Sequence, residues 1–384
     1  MKKQLSKLTQ QIEQATSIKY NNLVYELKQQ GKDVTVLSLG EAYFDIPLKP
    51  FDTLPFPQIY HYSHSRGLSP LREKLANFFS NKHNLNFNPD KEILVTAGSK
   101  AAIYMTLQSI LNPGENVLVP EPAWVSYTEQ IKLVNGTPNN IPINTPVSQW
   151  EKFIDKNTKA IIICNPHNPT GYVYSKDELN HILELAQKHN FWVMSDEAYS
   201  EFVDTNSHFL SFGALDPGFK NSIVFNSISK NFGISGWRIG YVISNEEVVD
   251  QILKVNQHII TCPPTILLYY IVEYFEFILE QTGPQIEALL GKRQQIMSFM
   301  DQINLKYCPG NSTFYFFVNI QPSSLSSDEF CQKLLIDKNI CAVPGIGYGQ
   351  SCDSYIRISI GTESLESIQK ALVQISELVN STNC

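Results

Sequence analysis

Between residues 92 and 230, short apolar runs alternate with stretches of helical spacing. The runs are Ile93–Thr96, Val117–Val119, Ile161–Cys164, Phe191–Met194 and Ser222–Phe225, and the clearest helical stretches are Ala101–Leu111 and Asp177–His189. Strands alternating with helices imply an α/β fold with a largely parallel sheet closed by right-handed crossovers. Such sheets bind ligands beyond the carboxyl ends of their strands. The polar clusters of this chain fall at those ends: Gly98-Ser99-Lys100, Pro120–Trp124, Asn165–Gly171, Ser195–Tyr199 and Ser227–Lys230. The alternation therefore gathers separate loops into one site.

The rest of the chain is organised around that block. Residues 1–30 carry helical spacing stopped by Gly31, and a short strand over Val34–Leu39 leads into Gly40-Glu41-Ala42. A helix is expected over Leu71–Phe79. From about Pro284 the character shifts to a polar helix (Ile286–Ile303), strands at Phe314–Val318, Cys341–Pro344 and Tyr355–Ile360, and helices near Asp328–Asp337 and Glu366–Leu378. This divides the chain into an N-terminal arm and part of a small domain (1–45), a large domain (46–283) and a small α/β domain (284–384). A chain of 384 residues with 43% hydrophobic and 17% charged content is long enough for both cores.

Several function classes are disfavoured. Thirty basic against 37 acidic residues, with no basic run, argues against nucleic acid as a partner. The most apolar stretch, Ile266–Val272, is far short of the ~20 residues that span a bilayer, so no membrane partner is expected. Seven cysteines without a C-x-x-C pair read as reduced thiols of the cytosol. The opening MKKQLSKLTQQIEQ lacks the apolar core of a secretory signal, so a cytoplasmic location is expected. His61 and His64 have no third ligand beside them, and no metal is expected. The glycines of 344–349 open no helix and do not form a dinucleotide fingerprint.

Lys230 concentrates the chemistry. It lies just past a strand end, with Ser227 and Ser229 before it and Arg238 eight residues on. Burial and cationic neighbours lower a lysine pKa enough for imine chemistry, and the flanking hydroxyls and arginine suit an anion. A loop lysine on the surface is the bland alternative. Asp196 follows a wholly apolar strand, and a buried carboxylate needs a cation. Arg357, inside the apolar run Tyr355–Ile360, likewise needs an anion.

S-x-S-K followed by G-W-R-x-G-Y, with N-P-T-G at 168–171 and D-E-x-Y at 196–199, resembles the class I/II aminotransferases of the fold-type I pyridoxal-phosphate enzymes. The resemblance runs from about Val34 to Ile360. It implies a large domain with a mostly parallel, seven-stranded-type sheet, pyridoxal 5'-phosphate as cofactor, and amino-acid and 2-oxo-acid substrates. It further implies that Lys230 bonds the cofactor and carries the substrate proton. Gly98, Ser99, Lys100, Ser227 and Arg238 would hold the phosphate, and Trp124 would stack on the ring. Asp196 would meet the ring nitrogen, and Asn168 and Tyr199 the ring oxygen. Gly40, Trp124, Asn168 and Arg357 would contact the substrate, Arg357 through its α-carboxylate. Tyr62, in a segment resembling Y-x-x-x-x-G-x-x-x-L-R, would reach the phosphate of a second subunit, which implies a homodimer.

The chain departs from the family pattern at Ala42, where a proline is usual, and over Asn311–Tyr315. A lyase using the same cofactor remains the alternative, and a cofactor-binding regulator a weaker third. Lys100 and Ser17 resemble positions that one aspartate-aminotransferase branch uses near a distal carboxylate. Lys100 could equally serve the phosphate, and the many Tyr and Phe residues could line a pocket for a bulky side chain.

Overall fold

A computed structural model describes residues 3–381. Its centre is a seven-stranded sheet, in spatial order Ile93–Thr96, Gly240–Ile243, Ser222–Ser227, Trp192–Asp196, Thr158–Cys164, Asn116–Pro120 and Thr137–Ile141. All neighbours are parallel except Gly240–Ile243, which runs against both of its own. Successive side chains of a strand face opposite sides. Ile93 and Val95 accordingly join Leu71, Leu75 and Phe79 of helix Ser69–His83 on one face. Leu94 joins Ile103 and Leu107 of helix Ser99–Ile110 on the other. With both faces covered, each such side chain stabilises the layer by about 1.5–3 kcal/mol.

Two strands of this sheet escape the alternation seen in the sequence. Thr137–Ile141 is an edge strand of polar residues with Pro138 inside it, a position only an edge tolerates. Gly240–Ile243 returns by a short connection after Lys230, so its direction is antiparallel.

A second core gathers the two ends of the chain. Tyr20 and Val24 of helix Thr16–Gln29 pack with Phe316, Leu334, Ile358, Leu372 and Ile375. Its sheet is antiparallel, ordered Val343–Pro344, Tyr355–Ser359 and Tyr315–Asn319. The expected strand Cys341–Pro344 is split: Ile340–Cys341 pairs in parallel with Thr35–Val36, and Val343–Pro344 joins the antiparallel sheet. Of Val34–Leu39 only Thr35–Val36 is strand.

The helix expected to begin at Ile286 is the second part of Thr265–Gln302, which starts with Leu268 and Ile271 in the large core and ends with Ile296 and Met300 in the other. Its irregular residue is Tyr274 (φ −114°, ψ 23°), and Pro284 sits within helical backbone. The carbonyl that Pro284 leaves without a donor belongs to exposed Glu280, where water can replace the bond. Among the described residues no helix is long and apolar enough to cross a membrane.

Candidate active site

The carboxyl ends of the large sheet face the small sheet across a cavity of about 230 Å³. Ser17, Gly40, Ser99, Lys100, Trp124, Asn168, Asp196, Tyr199, Ser227, Lys230, Arg238 and Arg357 all line it. Gly98 stands just behind, close enough that a Cβ there would lie 2.7 Å from Arg238 Nη2. Tyr62 is not among them and is 87% exposed.

Lys230 follows strand Ser222–Ser227 by three residues, and its ammonium donates to the carbonyl of Gly40. Burial lowers its pKa to about 8; Arg357 and Arg238 act in the same direction, while Glu41 and Asp196 oppose. The amine is thus released from its proton far more readily than a solvated lysine.

One end of the cavity is built for an anion. Helix Ser99–Ile110 opens at Gly98 (φ +88°) with no side chain capping its first amides. Gly240 lets the neighbouring strand pass beneath that terminus, since a Cβ there would lie 2.2 Å from the Ser99 nitrogen. Arg238, held in the left-handed region at φ +56°, donates to the Ser235 carbonyl (2.8 Å) and more distantly to Ser229 Oγ (3.4 Å). The Ser227 hydroxyl donates to the Ile239 carbonyl at 3.1 Å. Lys100 lies 4.8 Å from the Trp124 ring centroid, and burial, then Arg238, lowers its pKa.

The floor carries a buried acid. Asp196, 6% exposed, accepts from the Tyr127 hydroxyl at 2.6 Å and from the Ala198 amide at 3.2 Å. Burial raises its pKa, opposed by those donors and by Lys230. Asn168 Nδ2 donates to the Tyr199 hydroxyl at 3.3 Å, and Tyr199 and Tyr315 share a hydrogen bond at 3.0 Å. Asn168 Oδ1 is buried without a partner.

Opposite stands Arg357, 2% exposed. Its Nη2 donates to the Ser38 carbonyl at 2.7 Å, its Nε has no partner, and its guanidinium lies over the rings of Tyr315 and Tyr348 at 4.6 and 5.5 Å. Gly40 lets the chain pass this point, as a Cβ there would stand 3.1 Å from the Tyr315 hydroxyl. Among the described residues no ion pair reaches Asp196, Lys100 or Arg357.

Tyr127, Cys164, Ala198 and Tyr315 also line the cavity and are not among the site residues singled out in the sequence. Tyr127 carried a findable signal, since it is an aromatic with a polar tip three residues after Trp124, and the two ring centroids lie 5.3 Å apart. Tyr315 ends the departing segment Asn311–Tyr315, but as one more aromatic of an apolar strand it carried no signal of its own.

The donor set suits a flat, anionic, nitrogen-containing ring: a capless helix terminus and guanidinium at one end, a buried acid without a cation at the other, an unpartnered amide oxygen and a reactive amine between. A family model described as aminotransferase class I and II matches residues 32–375. The chain is 32% identical to a putative aminotransferase of Bacillus subtilis, over 98% of this chain and 99% of that one. It is 30% identical to an aspartate aminotransferase of Pyrococcus abyssi, over 93% and 94%. The structure of the aspartate aminotransferase from Thermus thermophilus with maleate superposes with a TM-score of 0.88 at 27% identity, covering 98% of this chain and 100% of that one.

Proposed function

The chain belongs to the class I and II aminotransferases, enzymes that use pyridoxal 5'-phosphate to exchange amino groups between amino acids and 2-oxo acids, and from that premise we propose that one of its exchange partners is a dicarboxylate such as glutamate or aspartate. The observation that carries this reading is a pair of cations, Arg357 and Lys100, that line one cavity and lack carboxylate partners among the described residues. A guanidinium accepts an α-carboxylate in a bidentate pair, which leaves Lys100 and the nearby Ser17 hydroxyl for a distal one. The Thermus thermophilus relative was solved with maleate, itself a dicarboxylate.

When bound, pyridoxal phosphate supplies an electron sink for the pair left on the substrate's α-carbon. In our reading the chain's own groups do the rest. Gly98, Ser99, Ser227 and Arg238 hold the phosphate, with Lys100 beside them. Trp124 covers one ring face and, with Gly40 and Asn168, bounds the substrate. Asp196 would keep a proton on the ring nitrogen, and Asn168 and Tyr199 would donate to or share the ring oxygen. Lys230 Nζ would hold the cofactor until the amino substrate takes its place, and the freed amine would then accept the α-proton and hand it on. A homodimer whose site is completed by Tyr62 of a second copy accords with the exposure of Phe56, Tyr60 and Tyr62 in one segment. We read residues 46–283 as the large cofactor-binding domain, 1–45 as an N-terminal arm and part of the small domain, and 284–384 as the small domain that carries Arg357.

The test is a panel of amino donors with Lys100→Ala. Removing one partner of a desolvated charge pair costs about 2–5 kcal/mol, so kcat/KM for glutamate and aspartate should fall by well over tenfold while alanine and phenylalanine are spared. Equal losses for all donors would assign Lys100 to the phosphate. Hybrids of Tyr62→Phe and Lys230→Ala subunits should regain one working site per dimer; hybrids that form without activity would refute the shared site.

A further inference from the structure

Arg293, on helix Thr265–Gln302, is fully buried, and no ion pair among the described residues involves it. Its guanidinium instead donates to three backbone carbonyls: Nη1 to Tyr315, and Nη2 to Gly310 at 2.6 Å and Thr170 at 3.3 Å. It stacks 4.0 Å from the centroid of Phe316. A Cβ on Gly171 would lie 2.6 Å from Nη2, so the loop approaches this arginine as closely as backbone can.

A buried cation without an anion is costly, and an apolar side chain of similar volume would fill such a space at least as well. What an apolar residue lacks is a fork of directional donors. Here the fork joins two segments from different sheets. Thr170 lies two residues past Asn168, in the loop after the strand Thr158–Cys164, and Tyr315 opens the strand Tyr315–Asn319. The side chains of these same segments meet in the site, through Asn168 Nδ2, the Tyr199 hydroxyl and the Tyr315 hydroxyl. A backbone bond, the Ser312 amide on the Gly171 carbonyl at 3.0 Å, also ties the loop to the Gly310–Tyr315 segment. The ionisable groups that feel the Arg293 charge are Tyr307 and Asp204, not Lys230, so its influence on the site is geometric.

We propose that Arg293 is a positioning residue for the amino exchange: by clamping the carbonyls of Thr170, Gly310 and Tyr315 it sets the spacing of the Asn168–Tyr199–Tyr315 hydrogen-bond chain against the ring oxygen of the cofactor. This rests on the reading of Asn168 and Tyr199 as partners of that oxygen. Donors on the oxygen favour the form in which it bears negative charge with no proton beside it. Loosening the chain therefore moves the pH titration of the bound cofactor's visible absorbance upward.

The experiment records that titration for the wild-type holoenzyme and for Tyr199→Phe, Arg293→Lys and Arg293→Met. Losing one hydrogen bond of this kind is expected to raise the midpoint by about half a unit to one unit in Arg293→Met. Arg293→Lys, which retains a single donor group, should move it less. In both, kcat should fall severalfold with little change in KM. A shift in Tyr199→Phe with none in folded Arg293 variants overturns the positioning role and leaves the ring-oxygen reading standing. No shift in Tyr199→Phe overturns that reading, and the proposal with it. Should Arg293→Met fail to fold, Arg293→Lys decides alone, and an unmoved midpoint there refutes the proposal. A variant that loses thermal stability but keeps midpoint and kcat marks Arg293 as a structural clamp only, which likewise overturns it.

Discussion

Two buried charges stand on opposite walls of the cavity and are furnished differently. Asp196, at the end of a central strand of the large sheet, takes two donors, Tyr127 and the Ala198 amide. Arg357, on the small sheet, has one carbonyl, two aromatic rings and an Nε with no partner. On the proposed reading, the group that stays through every turnover meets a nearly finished shell, whereas the group exchanged each turnover meets an unfinished one. A cation satisfied by its own protein would have little left to give a substrate carboxylate.

Lys230 belongs to both walls, since it bonds the Gly40 carbonyl on one side and feels Asp196 on the other. Lys230→Ala should therefore produce the largest effect and the least informative about sides. Loss of a positioned acid–base group costs about 10²–10⁴-fold, here in kcat for every donor. Borohydride reduction and peptide mapping of the wild-type enzyme should place the label on Lys230. Label on Lys100 would dissolve the distinction between the walls, because the reactive amine would then sit at the anion end.

Arg357→Gln separates the walls. It should lower kcat/KM for all amino acids by the about 2–5 kcal/mol of a desolvated charge contact, at least thirtyfold. Cofactor affinity, measured by equilibrium dialysis, should stay within about twofold, as for sites that share no partner. A large loss of cofactor affinity would show that Arg357 serves the resident group.

The same asymmetry governs how much could be read from the sequence. Loops at the ends of consecutive strands announce themselves, because each polar cluster interrupts an apolar run. Lys230, Asp196, Asn168 and Gly98–Lys100 were legible for that reason, and the parallel sheet with them. The opposite wall is assembled from contacts between residues 190 or more apart, such as Arg357 Nη2 with the Ser38 carbonyl and Lys230 with Gly40. Arg357 could be singled out as an arginine in an apolar strand, but its backbone partner could not, since a carbonyl has no residue signature. The polar edge strand Thr137–Ile141 and the passage of Pro284 through a helix stayed hidden because tertiary placement overrode local preference.

Tyr127 is one of the residues missed on the better-furnished wall, and Tyr127→Phe sharpens the comparison from that side. It deletes a 2.6 Å hydrogen bond to a buried carboxylate, leaving Asp196 with the Ala198 amide. A bond to a charged group contributes about 1.5–3 kcal/mol, so cofactor affinity and kcat should each fall by about tenfold. KM for the amino donor should move little, because Arg357 keeps its surroundings. A change confined to KM would mean that Tyr127 speaks to the substrate and that Asp196 needs no second donor.

The smallest effect concerns the chain stripped of cofactor, where Asp196 and Lys230 titrate in opposite senses. Burial raises the pKa of Asp196, so its folded form binds protons more readily than the unfolded chain, and its contribution to stability declines as pH rises through the acid range. Lys230 is displaced the other way, from 10.5 to about 8 by burial, with Arg357 and Arg238 adding to the shift. Below about 8 both folded and unfolded chains hold the proton, and the folded chain bears the full cost of the confined ammonium. Between about 8 and 10.5 the unfolded chain binds more protons than the folded one, so the contribution of Lys230 to stability rises with pH. The Tm of wild type minus that of Lys230→Ala, both without cofactor, should therefore increase across this window, since other titrating groups are common to both chains. Burial penalises the charged form of both groups, which is why a ring with a cationic nitrogen beside Asp196 and a bond to the Lys230 amine binds with most effect. A Tm difference that stays flat from pH 7.5 to 10 would show that Lys230 keeps an ordinary proton affinity, and the cavity would then be neutralised from one side only.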